Sequence, residues 1–195
     1  EGYEFAGWQP EVAATVTPDV TYTAQWKVES NNVARLESDG TEYDTLQKAI
    51  NAASSAIASG DHAAQTVTLL KDVNESVSYT WQTAPNTSYN YDLTIDLNGK
   101  TVTGKNGSVF NFVRGGSSVT GFMYITFNDS VGTGVVTGGK GSTGVSGISG
   151  TCGGAILMNS LYGCAKLTIN GGKFTGNTAA KGGAIYAGYA NKSNS

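Results

Sequence analysis

A chain of 195 residues is long enough for one or two domains with a true core, and its 27 glycines against 3 prolines point to turns in an all-β repeat architecture, not to a Pro-rich linker. The formal net charge of −3, with its lysines and two arginines (Arg35, Arg114) spread along the sequence without forming a stripe, argues against nucleic acid as a partner. No apolar run approaches the roughly 20 residues needed to span a bilayer, and Glu1 opens nothing like a signal peptide, so the sequence reads as a piece of something longer.

In chain order, residues 1–27 carry apolar positions at Tyr3, Phe5, Trp8, Val16, Tyr22 and Trp26 but are too few to bury an independent core. Residues 28–40 form a linker and the start of a hairpin, in which VARLESDGTEY sets an Asp39-Gly40 turn between two short strand-like runs. Residues 41–66 are a capping-helix region. There Leu46, Ala49, Ile50, Ala53 and Ile57 fall at helical spacing, Asp44 stands as the expected N-cap with Gln47 three residues later, and Gly60 is the stop. The apolar face of that helix suits the end of a stack of strands, whose backbone edges would otherwise be free.

From 67 to 195 the sequence repeats. LTIDLNG, MYITFND and AKLTING align around Asn98, Asn128 and Asn170, and alternate positions before each asparagine are apolar: Leu93, Ile95, Leu97; Met123, Ile125, Phe127; Ala165, Leu167, Ile169. That is the period of a strand with one buried face. TVTG, VVTG and KFTG follow as second markers, and the GGAI tetrads at Gly153 and Gly182 as third, with SVFNF from Ser108 standing for them in the first unit. Units of roughly 25 to 45 residues, each with up to three short strands, lie in the solenoid range. The expected fold is an all-β, right-handed parallel β-helix with an N-terminal amphipathic capping helix, its coils expected to run on beyond residue 195. The alternative is an antiparallel sandwich or barrel. Stacked coils would place the corner asparagines in an amide ladder and use the glycine pairs for backbone angles that a side chain obstructs.

Candidate chemistry is sparse. Asp92 and Asp96 share the outward face of one strand but stand too far apart for a glycosidase pair, which needs carboxyl groups within about 5 to 9.5 Å. Arg114 reads as a surface residue beside Gly115 and Gly116, and His62 as an exposed loop residue after the helix stop. No metal-ligand spacing, phosphate loop or nucleophile motif is present, and no cofactor is expected. YTWQTAPNTSYNY places Trp81, Tyr89 and Tyr91 around an irregular loop with Pro85 and Asn86. Such rings either stack on a ligand, a glycan being the natural one, or cover the first coil. Cys152 and Cys164, the only cysteines, form a candidate disulfide, with two buried free thiols as the alternative.

VARLESDGTEYDTLQKAINAA, followed by VTLLKDV and LTIDLNGKTVTG, resembles the opening of pectate-lyase-like β-helix domains in large secreted and wall-attached proteins of Gram-positive bacteria, from Val33 to the end of the chain. FTGN and the GGAI tetrads resemble repeats of polymorphic autotransporter adhesins. GYEFAGWQPEVAATVTPDVTYTAQWK, Gly2 to Lys27, resembles the C-terminal half of the Listeria–Bacteroides repeat, a β-grasp-like module, with the first half missing. These resemblances imply a non-catalytic structural or adhesive stalk segment of a secreted, cell-surface, wall-attached bacterial protein. Its partners would be a host or environmental glycan or surface protein, together with other modules of the parent chain. Two rivals stand beside that reading: the N-terminal part of a β-helix polysaccharide lyase or glycoside hydrolase, and a glycan-binding module using the aromatic loop 79–91.

Overall fold

The computed structural model describes residues 2–12, 15, 19–81, 89–115, 121–160 and 165–189. The chain divides into two units, Glu1–Asn31 and Asn32–Ser195. In the first, β1 (Tyr3–Gln9) and β2 (Thr23–Val28) pair antiparallel from Tyr3↔Val28 to Gln9↔Thr23, with a bulge between Phe5 and Gly7. Phe5 meets Trp8 and Trp26 edge-on, with ring centroids 5.4 and 5.7 Å apart. All three rings nevertheless stay exposed, as does Tyr3. A two-stranded sheet has no second layer to bury them. Val16 lies outside the described residues.

The second unit opens with a hairpin, β3 (Ala34–Leu36) and β4 (Glu42–Tyr43), closed by Gly40 at φ 73° and by the Asp39 carboxylate, which accepts the Thr41 N–H. Helix α1 (Leu46–Ala58) follows, burying Leu46, Ala49, Ile50, Ala53 and Ile57, the face expected from spacing. Its N-cap is Thr45, whose hydroxyl accepts the Lys48 N–H; Asp44, one residue earlier, instead pairs with Lys48 at 2.8 Å. The next two orphan N–H groups, of Leu46 and Gln47, donate to the Glu75 carboxylate.

Twelve further strands run through the described remainder: β5 (Gln65–Leu69), β6 (Val73–Asn74), β7 (Val77–Trp81), β8 (Tyr91–Asp96), β9 (Thr101–Thr103), β10 (Phe110–Arg114), β11 (Met123–Asn128), β12 (Val135–Thr137), β13 (Ile156–Ser160), β14 (Ala165–Ile169), β15 (Lys173–Phe174) and β16 (Ile185–Tyr189). They fall into three sheets, of order β16-β13-β10-β7, β15-β12-β9-β6 and β14-β11-β8-β5-β3-β4. Pairing among these twelve is parallel, between strands three apart in the chain.

The expected right-handed parallel β-helix is corrected by this topology. The sheets are mixed: β3 pairs antiparallel with both β5 and β4, and β1 and β2 form a separate antiparallel sheet. The short Asp39-Gly40 turn sets β3 against β4 antiparallel, because a tight turn can join only antiparallel neighbours, and β3 then brings that antiparallel hairpin onto β5. Among the described residues the chain is mostly β, with one helix and several sheets that combine parallel and antiparallel pairing.

Alternation sets the core. Leu93, Ile95, Leu97, Ile125 and Phe127 are fully buried, packed with the α1 face and with Phe110 and Phe112. Leu167 is half-buried and Ile169 is 38 % exposed, against the expectation that both lie inside. They belong to β14, the last strand of its sheet, over which no further described strand lies.

The glycine pairs answer to contact as well as to dihedral angle. Gly153 and Gly182 have φ 60° and 62°, and a Cβ on either would strike the carbonyl of Ile156 or Ile185 three residues on. A Cβ on Gly154 would strike the Gly183 carbonyl of the neighbouring layer. The tetrads thus let successive layers approach backbone to backbone, with Ile156 and Ile185 in register. The asparagine corner is more varied than a ladder. Asn170 donates its amide to Asn128 at 2.9 Å, whereas Asn98, at φ 47°, donates to the Leu69 carbonyl at 2.8 Å.

Candidate functional site

The aromatic residues expected around a binding loop divide by strand parity. Tyr91 shares the face of Leu93 and Ile95 on β8, and Trp81 shares that of Val77 on β7; both rings are buried. Tyr89 is half-buried, its hydroxyl 3.4 Å from the Trp81 indole N–H. Pro85 and Asn86 lie outside the described residues. The Ser54 hydroxyl donates to the Ile50 carbonyl at 2.7 Å, which leaves Tyr91 as the donor in its own 2.7 Å contact with Ser54. Burial, the largest cause, pushes the Tyr91 phenol above its ordinary 10.0. Tyr91 and Trp81 therefore join α1 to the sheets and present no ring face to solvent.

Arg114, expected at the surface, is fully buried. It lies on β10 at the parity of Phe110 and Phe112, so its side chain runs inward; the guanidinium carbon sits 5.6 Å from the Trp81 ring centroid and Nη2 donates to the Gly121 carbonyl at 3.2 Å. It is a core residue. His62 is exposed, as expected. Its Nδ1 lies 2.8 Å from the Ile57 carbonyl and its ring stacks on Tyr89 at 4.1 Å.

The carboxylates are mostly committed to the backbone. Asp96 accepts from the N–H groups of Asn98 and Ser130, at 2.8 and 3.0 Å. Asp129 accepts from Gly99 at 2.8 Å and Gly134 at 2.7 Å; its desolvation, which raises the pKa, is outweighed by the backbone donors of Gly99, Gly134, Gly132 and Val131, which hold the carboxyl below its ordinary 3.8. Asp92 differs: it is half-buried on the outward face of β8, and its carboxylate makes no hydrogen bond or ion pair with the described residues.

Two shallow depressions, of about 410 and 270 Å³, adjoin at Glu75 and Lys105 beside the start of α1. Glu75 is occupied with the helix N–H groups, and Asp72 accepts the Thr101 N–H at 2.7 Å. Among the described residues no group of three or more His, Cys, Asp or Glu could hold a metal ion. Cys152 is buried beside Val145 and Leu157 as a free thiol; Cys164, its expected partner, lies outside the described residues.

Sequence reasoning passed over two features. One is Phe122, which has the outward parity of Tyr124 and is 44 % exposed. The other is charge order. Asp129 is the last acidic residue, and the 66 residues after it carry Lys140, Lys166, Lys173, Lys181 and Lys192. Both were readable, the first from strand parity and the second by counting charge in blocks instead of along the whole chain. No helix among the described residues is long and apolar enough to cross a membrane. Comparison with known protein families, curated proteins and solved structures gives no match.

Proposed function

We propose that this chain is a non-catalytic structural and adhesive stalk segment of a secreted bacterial surface protein. The observation that carries the reading is the fate of its reactive groups. Asp96 and Asp129 hold turn amides, Glu75 holds a helix end, Arg114 is packed under Trp81, and His62 closes against the end of α1. Catalysis on a polysaccharide needs an acid and a base converging on one bond. Here the same residue types fasten layer to layer: Gly99 and Asp129 are joined across 30 residues of sequence, and Asp96 and Ser130 across 34. Side chains spent in this way build a body that carries or spaces other modules.

Incubation of the purified chain with pectin, mucin glycans and other polysaccharides, with and without calcium, tests the reading. No release of reducing or unsaturated ends is expected. Release that is lost in Asp92→Asn or Asp96→Asn would replace the stalk with an enzyme.

A further inference from the structure

The outward face of the six-stranded sheet carries an ordered array. Register places Asp92, Tyr124 and Lys166 side by side on β8, β11 and β14, with neighbouring strands about 4.8 Å apart. The next row toward the asparagine corner is threonine throughout: Thr66, Thr94, Thr126 and Thr168. Beside Tyr124 lies Phe122, its ring within 11° of parallel and 5.8 Å away by centroids. The Phe122 backbone is held on both sides, its N–H by the Asn90 side chain at 3.1 Å and its carbonyl by the Tyr91 N–H at 2.8 Å. The ring is therefore presented from a fixed main chain.

A phenyl group left 44 % exposed forgoes part of the gain that its burial would bring. The residue one layer earlier is the polar Asn90, so the fold does not demand an aromatic here. Neither Asp92 nor Lys166 forms a salt bridge among the described residues, and the Tyr124 hydroxyl has no partner there. The Tyr124 ring is thus flanked within its row by an unengaged acceptor and an unengaged donor, with Phe122 parallel to it in the row before and hydroxyls in the row behind.

We propose that Phe122 and Tyr124 form a saccharide-binding platform, on which the C–H face of a pyranose ring packs while its hydroxyls bond to Asp92, Lys166 and Thr126. This rests on the adhesive reading above and supplies its contact surface. Aromatic rings give the apolar sugar face its partner, and flanking polar tips fix its orientation. The Asp92 carboxylate disfavours a phosphodiester backbone beside the rings. Two rings rimmed by polar side chains also fall short of the broad apolar patch that marks a protein interface.

The test is native electrophoresis of the full chain through gels holding mucin, hydroxyethylcellulose or polygalacturonate, followed by titration with whichever polymer retards it. At least one is expected to slow the protein, and Tyr124→Ala and Phe122→Ala should each weaken binding about tenfold. Phe122→Tyr should retain binding, and Lys166→Ala should lose less than either alanine variant of the rings. Circular dichroism and melting of each variant confirm that the outward substitutions leave the fold in place. The platform is overturned if no polymer retards the folded protein, or if retardation survives loss of both rings. Release of sugar from the gel polymer defeats the stalk reading instead, so the two failures are told apart.

Discussion

Gly153 is held by two constraints at once. Its φ of 60° costs a residue with a side chain about 1 kcal/mol, and its missing Cβ makes room for the Ile156 carbonyl. Gly153→Ala should therefore lower unfolding free energy by at least about 2 kcal/mol in urea titration, well beyond the angle term alone. Gly144, also at positive φ but with open space around it, should lose only the conformational part on the same change. Asp129 makes a pH argument at the same scale. Its folded pKa lies below 3.8, so its stabilisation is complete above that value and drains away as pH falls through the depressed folded pKa. Asp129→Asn should destabilise at pH 7 and flatten the acid limb of the melting-temperature profile below about pH 4. An unchanged acid limb would remove this carboxylate from the account.

At the scale of elements, α1 depends on groups from two places: the Thr45 hydroxyl before it and the Glu75 carboxylate reached from 29 residues away. Thr45→Ala should cost about 1 kcal/mol, and Asp44→Ala much less, since Asp44 makes only an exposed pair with Lys48. Equal losses, measured by urea titration, would show that the cap was wrongly placed. The helix was readable in the sequence because its apolar spacing is long and regular, but the cap was misplaced by one residue because Asp44 and Thr45 are both good cap formers. Tyr91 and Arg114 show the same limit in another form. Parity along β8 and β10 already points both inward, yet the sequence left Tyr91 between a ligand platform and a cover for the first coil, and the glycines beside Arg114 suggested the surface. What decided the matter was a partner far off in sequence: Ser54 for the phenol and Trp81 for the guanidinium. Local pattern carries no record of such partners. The hairpin at Asp39-Gly40 was visible for the opposite reason, its geometry being set by the residues of the turn itself.

At the scale of the molecule, position in the strand stack governs what a side chain contributes. Ile125 and Ile169 both carry the inward parity of repeated strands, one row apart, but Ile125 is on β11, between β8 and β14, while Ile169 is on the terminal strand β14. Ile125→Ala should cost about 2 to 5 kcal/mol and Ile169→Ala under about 1, read from urea midpoints at unchanged slope. Similar costs at both sites would mean that β14 is covered in solution. Sequence repetition announced the strands and their parallel register, and it could not announce the mixed sheet, because β3 and β4 stand outside the repeat and join it only through β5. It also placed Ile169 inside with the earlier repeats, although no further described strand lies over β14.

The order of charges along the chain acquires a direction in space once strands three apart lie side by side. Between Asn32 and Asp129 ten acids meet six bases, and after Asp129 there are five lysines and no acid. Along the strand order, the second unit passes from the segments around α1, β5 and β6, which carry Asp44, Asp61, Asp72 and Glu75, to those of β14 and β15, which carry Lys166 and Lys173, with Lys181 before β16. A body with little net charge is thereby an electric dipole lying along its stacking direction. Such an object feels a torque near a charged surface even where it feels little net pull, and the lysine-bearing layers turn toward anions. Salt shortens the reach of that alignment to about 8 Å at physiological strength, so it acts at close approach, where it selects which end arrives first.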